Sequence, residues 1–74
     1  MARLIIYYDS HAIGHADEWQ REGEVVMIAD NTLGLMPGMV LEVRECGTED
    51  KLSGATEQAT AGGVIIRLEE RLPL

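Results

Sequence analysis

Residues 33–46, LGLMPGMVLEVREC, decide the fold class of this chain. Pro37 presets its own φ, and Gly38 accepts the positive φ that a type II turn requires at its third position. After this dipeptide, apolar and polar side chains alternate, which is the period of a half-exposed β-strand with Leu41 and Val43 facing the interior. The stretch predicts a tight turn followed by a strand.

Three further short runs on either side of this stretch are rich in β-branched residues. They are residues 3–8 (RLIIYY), 24–30 (EVVMIAD) and 64–69 (VIIRLE). Val, Ile and Tyr are enriched in strands, and short runs bounded by turn-forming residues are typical of strands. Each run therefore predicts one more strand. The first two are apolar on both faces, which is typical of strands covered on both sides.

The segment 11–21 predicts the one helix of the chain. Asp9 and Ser10 precede it and are good N-cap residues, while Gly23 follows its end. On helical spacing its apolar residues form one narrow stripe, made of Ala12, Ile13, Ala16 and Trp19. The fold class expected from these patterns is mainly β, with about four strands in a small curled sheet or open barrel and one short helix.

Size and charge limit the organisation and the partners. At 74 residues the chain has room for a single small domain, residues 1–74. It carries 13 acidic and 6 basic residues, a net charge of −7, so nucleic acid is an unfavourable partner. We expect a cytoplasmic location and no membrane association, because we see neither a leader peptide nor an apolar run of about 18 residues.

Residues 47–62 predict a mobile loop that engages a partner. The segment is rich in Thr, Gly, Ala and Ser, and Leu52 is its only large apolar residue. Such a composition does not offset the entropy of its own ordering, so contacts from outside are needed. Its charge is negative, which favours a basic protein partner. The predicted partner-binding residues are Glu49, Asp50, Lys51, Leu52 and Glu57.

A homodimer or higher oligomer is also predicted. A small aliphatic core is often completed by disulfides, a metal or association, and a chain with one cysteine forms no intrachain disulfide. One helix does not cover the outer side of a four-stranded sheet. The side chains expected between subunits are Ile5, Tyr7, Val25 and Met27.

His11, His15 and Glu18 are the candidate metal ligands. If 11–21 is helical, they form a row at spacings of four and three residues, and two imidazoles with a carboxylate suit zinc or a similar divalent ion. The alternative interpretation is a solvated polar helix face. We find no enzyme motif, neither a nucleophile elbow nor a phosphate-binding glycine loop, so a non-catalytic role is favoured.

Residues 33–43 contain Leu-Gly-Leu and Pro-Gly followed by a predicted strand, and a glycine and another predicted strand follow at 63–68. This order resembles that of two families. One is the AbrB/MazE swapped-hairpin family of dimeric regulators and antitoxins, and the other is the SH3-like FeoA family of ferrous-iron-transport accessory proteins. Both resemblances imply a small β-barrel. The predicted function is a small acidic interaction module or accessory protein; the alternatives are a swapped-hairpin regulator and a metal-dependent protein using His11 and His15.

Overall fold

The computed structural model describes residues 2–69 as a single antiparallel sheet of seven strands. The strands are β1 (Leu4–Tyr8), β2 (His11–Ala16), β3 (Trp19–Glu22), β4 (Val25–Ile28), β5 (Val40–Glu45), β6 (Leu52–Thr60) and β7 (Gly63–Leu68). Their spatial order is β2, β1, β5, β6, β7, β4, β3. The described part of the chain contains no helix, and accordingly none that is long and apolar enough to cross a membrane.

The sheet is built from a central meander and two flanking hairpins. Strands β5, β6 and β7 follow one another in the chain and pair in that order. The hairpin β1–β2 joins the meander through β5, and the hairpin β3–β4 joins it through β7. The N-terminal half of the chain therefore supplies both edges of the sheet.

The sheet has to curl because its two edge strands are close neighbours in sequence. Only Asp17 and Glu18 lie between β2 and β3, and this link spans at most about 11 Å. Seven strands laid flat would be about 29 Å across from the first to the last. The Trp19 indole Nε1 also donates to the carbonyl of Ala2, 2.8 Å away, and so ties the β3 edge to the start of β1.

The core fills the concave side of this curl. Alternate residues of the strands point inward, so that Ile6, Leu41 and Ile66 are essentially inaccessible to solvent. The segment between β4 and β5 adds the buried Leu35. The Asn31 side chain holds it through two hydrogen bonds: Nδ2 donates to the Leu35 carbonyl (3.0 Å), and Oδ1 accepts from the Leu35 amide (2.8 Å). The remaining buried apolar residues are Leu4, Ala16, Val26, Ile28, Val43, Val64 and Leu68.

The four predicted strands and the Pro-Gly turn are confirmed, with bounds shifted by one or two residues, and correspond to β1, β4, β5 and β7. The turn closes through a hydrogen bond from the Met39 amide to the Met36 carbonyl (3.2 Å), and Gly38 has a φ of 91°. Leu41 and Val43 face the interior as the alternation predicts. The mainly β class is correct, but the count of about four strands is too low.

The predicted helix at 11–21 is wrong, since this segment forms β2 and β3. Asp9 and Ser10 are a two-residue hairpin loop with φ values of 52° and 66°, and positive values at both positions indicate a type I′ turn rather than a helix N-cap. The pairing of β1 with β2 also shifts register by one residue, leaving Ile13 as a bulge. The bulge interrupts the alternation that would have identified the strand.

The prediction of a loop over 47–62 is also wrong. Nine of its residues form β6, the longest strand, which is paired on both sides. Its first residue, Leu52, packs against the core, and its later inward residues Gly54, Thr56 and Ala59 are small because large side chains of the neighbouring strands occupy the interior. A Cβ on Gly54 would lie 2.7 Å from the Arg67 carbonyl oxygen, so the two backbones approach closely only because residue 54 is glycine.

A candidate interaction groove

An open groove of about 450 Å³ lies beside the edge hairpin β3–β4. We call it the Trp19 groove. Its walls are mostly apolar and its rim is acidic and polar, which is the arrangement of a site that holds an apolar group and orients it with a few polar contacts. The walls are formed by Trp19, Met27, Ile28 and Ala29, and the rim by Asp17, Glu18 and Gln20.

The register of the hairpin places these side chains. Trp19 pairs with Ile28 and Gln20 pairs with Met27, so Met27 and Gln20 share the outer face of the sheet. The Ala29 amide donates to the Glu18 carbonyl (3.0 Å) and fixes the short link between β2 and β3 at the mouth of the groove. The backbone that carries the side chains of the rim is thus fixed by hydrogen bonds between the strands.

The apolar surface continues from the Trp19 groove across the sheet. A neighbouring depression of about 310 Å³ shares Met27 and Ile28 with it and extends to Ile65 on β7. Met27 and Ile65 are a cross-strand pair, and both are only half-buried. The two depressions together offer a binding strip that runs across β3, β4 and β7.

The segment that forms the Trp19 groove is acidic, and two of its carboxylates, Asp17 and Glu18, line the groove itself. Between residues 17 and 30 the chain carries five carboxylates, Asp17, Glu18, Glu22, Glu24 and Asp30, and a single basic residue, Arg21. Asp17 is already engaged, because Arg3 Nε lies 3.0 Å from its Oδ1 and His15 Nε2 lies 3.9 Å from its Oδ2. The Glu18 carboxylate has no ion pair within residues 2–69. It is therefore available to an incoming cation.

The structure separates the predicted partner-binding residues. Lys51 Nζ lies 4.4 Å from the centroid of the Tyr7 ring, Leu52 packs against the core, and Glu57 pairs with Arg67 at 3.2 Å. Only Glu49 and Asp50 are exposed without such a contact among the described residues. The five residues do not form one surface.

Tyr7 links Lys51 to a second cation. Arg44 Nε donates to the Tyr7 hydroxyl (3.1 Å), and Arg44 Nη1 donates to the Thr48 carbonyl (2.9 Å). The hydrogen bond to Tyr7, and then the charge of that phenol when ionised, raise the pKa of Arg44 above its ordinary value. Arg44 is protonated at neutral pH in any case. The hydrogen bond therefore matters for the position of Arg44, because it places a second cation beside the Tyr7 ring.

The proposed metal ligands do not share a face. His11 pairs with Tyr8 and His15 pairs with Ile5, and because Tyr8 and Ile5 lie on opposite faces of β1, the two imidazoles do so as well. The helical row that would have joined them to Glu18 is absent. Within residues 2–69 no three His, Cys, Asp or Glu side chains are grouped so that they could hold a metal ion.

The four residues expected between subunits fall into two pairs. Ile5 and Tyr7 lie on β1, whereas Val25 and Met27 lie on β4, and β5, β6 and β7 separate these strands. All four are half-buried on the outer face, as their alternation predicts. A curled sheet turns the two pairs in different directions, so one interface does not bury all of them.

The sequence predicts Trp19 in the apolar stripe of a helix and Met27 between subunits, so it does not bring the two together. The available signal was the acidic excess of residues 17–30 around the only tryptophan of the chain. Ala29 and Gln20 gave no signal, because their place in the groove depends on the β3–β4 register. Comparisons with models of protein families, with curated proteins and with solved structures found no match to this chain.

Proposed function

We propose that this chain is a small, non-catalytic protein-interaction module that binds a basic, partly apolar segment of a partner protein in the Trp19 groove. The observation that carries the proposal is the combination of an apolar wall with an acidic surrounding at one place. Neither feature alone distinguishes this surface, since single exposed apolar residues and solvating carboxylates are both common.

The two features contribute differently to binding. Burying one large apolar side chain against Trp19 and Met27 contributes roughly 1.5 to 3 kcal/mol, before the entropic cost of association. The carboxylates of residues 17–30 attract a cationic segment from a distance and set its orientation, so they raise the association rate and the selectivity more than the affinity. We therefore expect weak, fast and salt-dependent binding.

Trp19 provides the readout, because it is the only tryptophan and lies in the groove wall. We expect a short peptide of alternating lysine and leucine to change the Trp19 fluorescence saturably, with an affinity that falls as salt is added. Met27→Lys should weaken this binding at least tenfold, because it places a cation and a long side chain in the groove. Val40→Lys is the matched control, since residue 40 is an exposed strand position elsewhere, and it should bind like the native chain.

A second pair of variants separates the groove from the turn after β5. Glu18→Gln should weaken binding about two- to fivefold, a typical effect for one exposed charge. Glu49→Gln removes the same charge from the surface that the sequence favoured and should leave binding unchanged. Equal losses in both variants, or an unchanged affinity in Met27→Lys, would contradict the proposal.

The resemblance to the swapped-hairpin regulators stays a prediction, and the same titration tests it. Two of the arginines that a DNA contact would need are paired with carboxylates, Arg3 with Asp17 and Arg67 with Glu57. Binding of duplex DNA with a steep salt dependence, in place of the peptide, would favour the regulator over the interaction module.

A further inference from the structure

A second groove, of about 560 Å³, lies on the opposite half of the sheet. Its lining includes Tyr7 and Tyr8 at the end of β1 and Val40 at the start of β5. We call this surface the tyrosine face. Strands β2, β1 and β5 and the turn that leads into β5 carry the large apolar side chains that the described residues expose most, namely Tyr8 (44%), Val40 (59%), Met36 (65%) and Ile13 (39%).

The tyrosine face carries charges of both signs. Asp9 and Glu42 line the groove, and Arg44 and Lys51 stand beside Tyr7. The groove and the Tyr7 ring thus bring two negative and two positive side chains together, and the exposed Glu49 and Asp50 precede Lys51 in the chain. At the Trp19 groove the lining carboxylates are Asp17 and Glu18, and Arg3 pairs with the first of them.

The presence of both signs of charge bears on whether a second copy can use the tyrosine face. Two chains of charge −7 repel each other, and the repulsion is strongest where acidic surfaces meet. A two-fold symmetric contact places each patch against itself, so a favourable one needs both signs of charge within the patch. The tyrosine face has them, and Tyr and Met are residues that interface cores favour.

We infer that the tyrosine face is a homodimer interface, in which two copies meet around a two-fold axis and bury Tyr8 and Val40. The acidic side chains of one protomer then face Arg44 and Lys51 of the other. This inference is independent of peptide binding in the Trp19 groove, which it leaves open to solvent on both protomers.

Sedimentation over a range of concentrations tests the inference. The native chain should shift from the 8.1 kDa species to twice that mass as concentration rises. Val40→Lys should raise the dimer dissociation constant at least tenfold, because it places two extra cations near the symmetry axis. Met36→Lys is a second variant, in the turn that leads into β5. Both residues are more than half exposed, so the monomer should keep its fold, which circular dichroism checks.

Met27→Lys is the matched control, because it adds the same charge in the Trp19 groove and should leave the dimer intact. Each lysine variant is therefore expected to affect only one of the two experiments. Met27→Lys should weaken peptide binding alone, and Val40→Lys should weaken dimerisation alone. A native chain that stays at 8.1 kDa at millimolar concentration would overturn the inference. So would a dimer that Met27→Lys disrupts and Val40→Lys does not.

Discussion

The buried hydroxyl group of Thr56 is unfavourable for the stability of the fold. Thr56 is 3% exposed, and its Oγ1 has no hydrogen-bond partner among residues 2–69. A buried polar group without a partner costs on the order of 1 to 3 kcal/mol. We expect Thr56→Val, which keeps the shape of the side chain, to raise the free energy of unfolding by about 1 kcal/mol, or by several degrees in melting temperature.

Thr60→Val is the control for that substitution. Thr60 lies on the same strand, but its exposed hydroxyl donates to the Gly63 carbonyl (3.4 Å) and accepts from the Gly62 amide (3.3 Å). The same change should therefore lower stability slightly. Equal melting shifts in the two variants would show that valine itself, rather than the buried hydroxyl, is responsible.

At the level of elements, the β1–β2 hairpin loop holds a residue in an unfavourable conformation. Ser10 has a φ of 66°, and the left-handed region costs a residue with a side chain roughly 1 kcal/mol relative to glycine. Asp-Gly is a preferred type I′ loop. Ser10→Gly should therefore stabilise the chain by about 1 kcal/mol in urea unfolding. Ser53→Gly, made within β6, should destabilise it, and a gain in both variants would contradict this explanation.

The sequence predicts those strands whose inward positions are large and regularly spaced, and it misses the others for physical reasons. In β2 the bulge at Ile13 breaks the alternation, and the two polar residues of a hairpin loop look like a helix N-cap. In β6 the inward residues after Leu52 are small, because Leu41 and Ile66 on the neighbouring strands fill the space that they face. Hydrophobicity therefore carries no signal there. The Trp19 groove depends on strand register, which a single sequence does not specify.

For the whole molecule, the position of β6 reverses an expectation about residues 47–62. As a mobile loop, the segment would be replaceable by Asn-Gly without loss of the fold. Strand β6 pairs with β5 over residues 52–55 and with β7 over residues 54–60, so it connects the two strands. We therefore expect this replacement to abolish the cooperative unfolding transition. Hydrogen exchange should likewise show β6 amides among the most protected and those of residues 48–50 among the least. A folded shortened chain would contradict the observed topology.

The order of the strands also determines when the sheet can form during synthesis. The ribosome releases both hairpins of the N-terminal half first, yet in the finished sheet they are separated by three strands that are made later. An isolated two-stranded hairpin is at best marginally stable in water. The nascent chain therefore forms no stable part of this sheet until β7 has left the exit tunnel. Folding is then a late event dominated by distant contacts, which is characteristically slow.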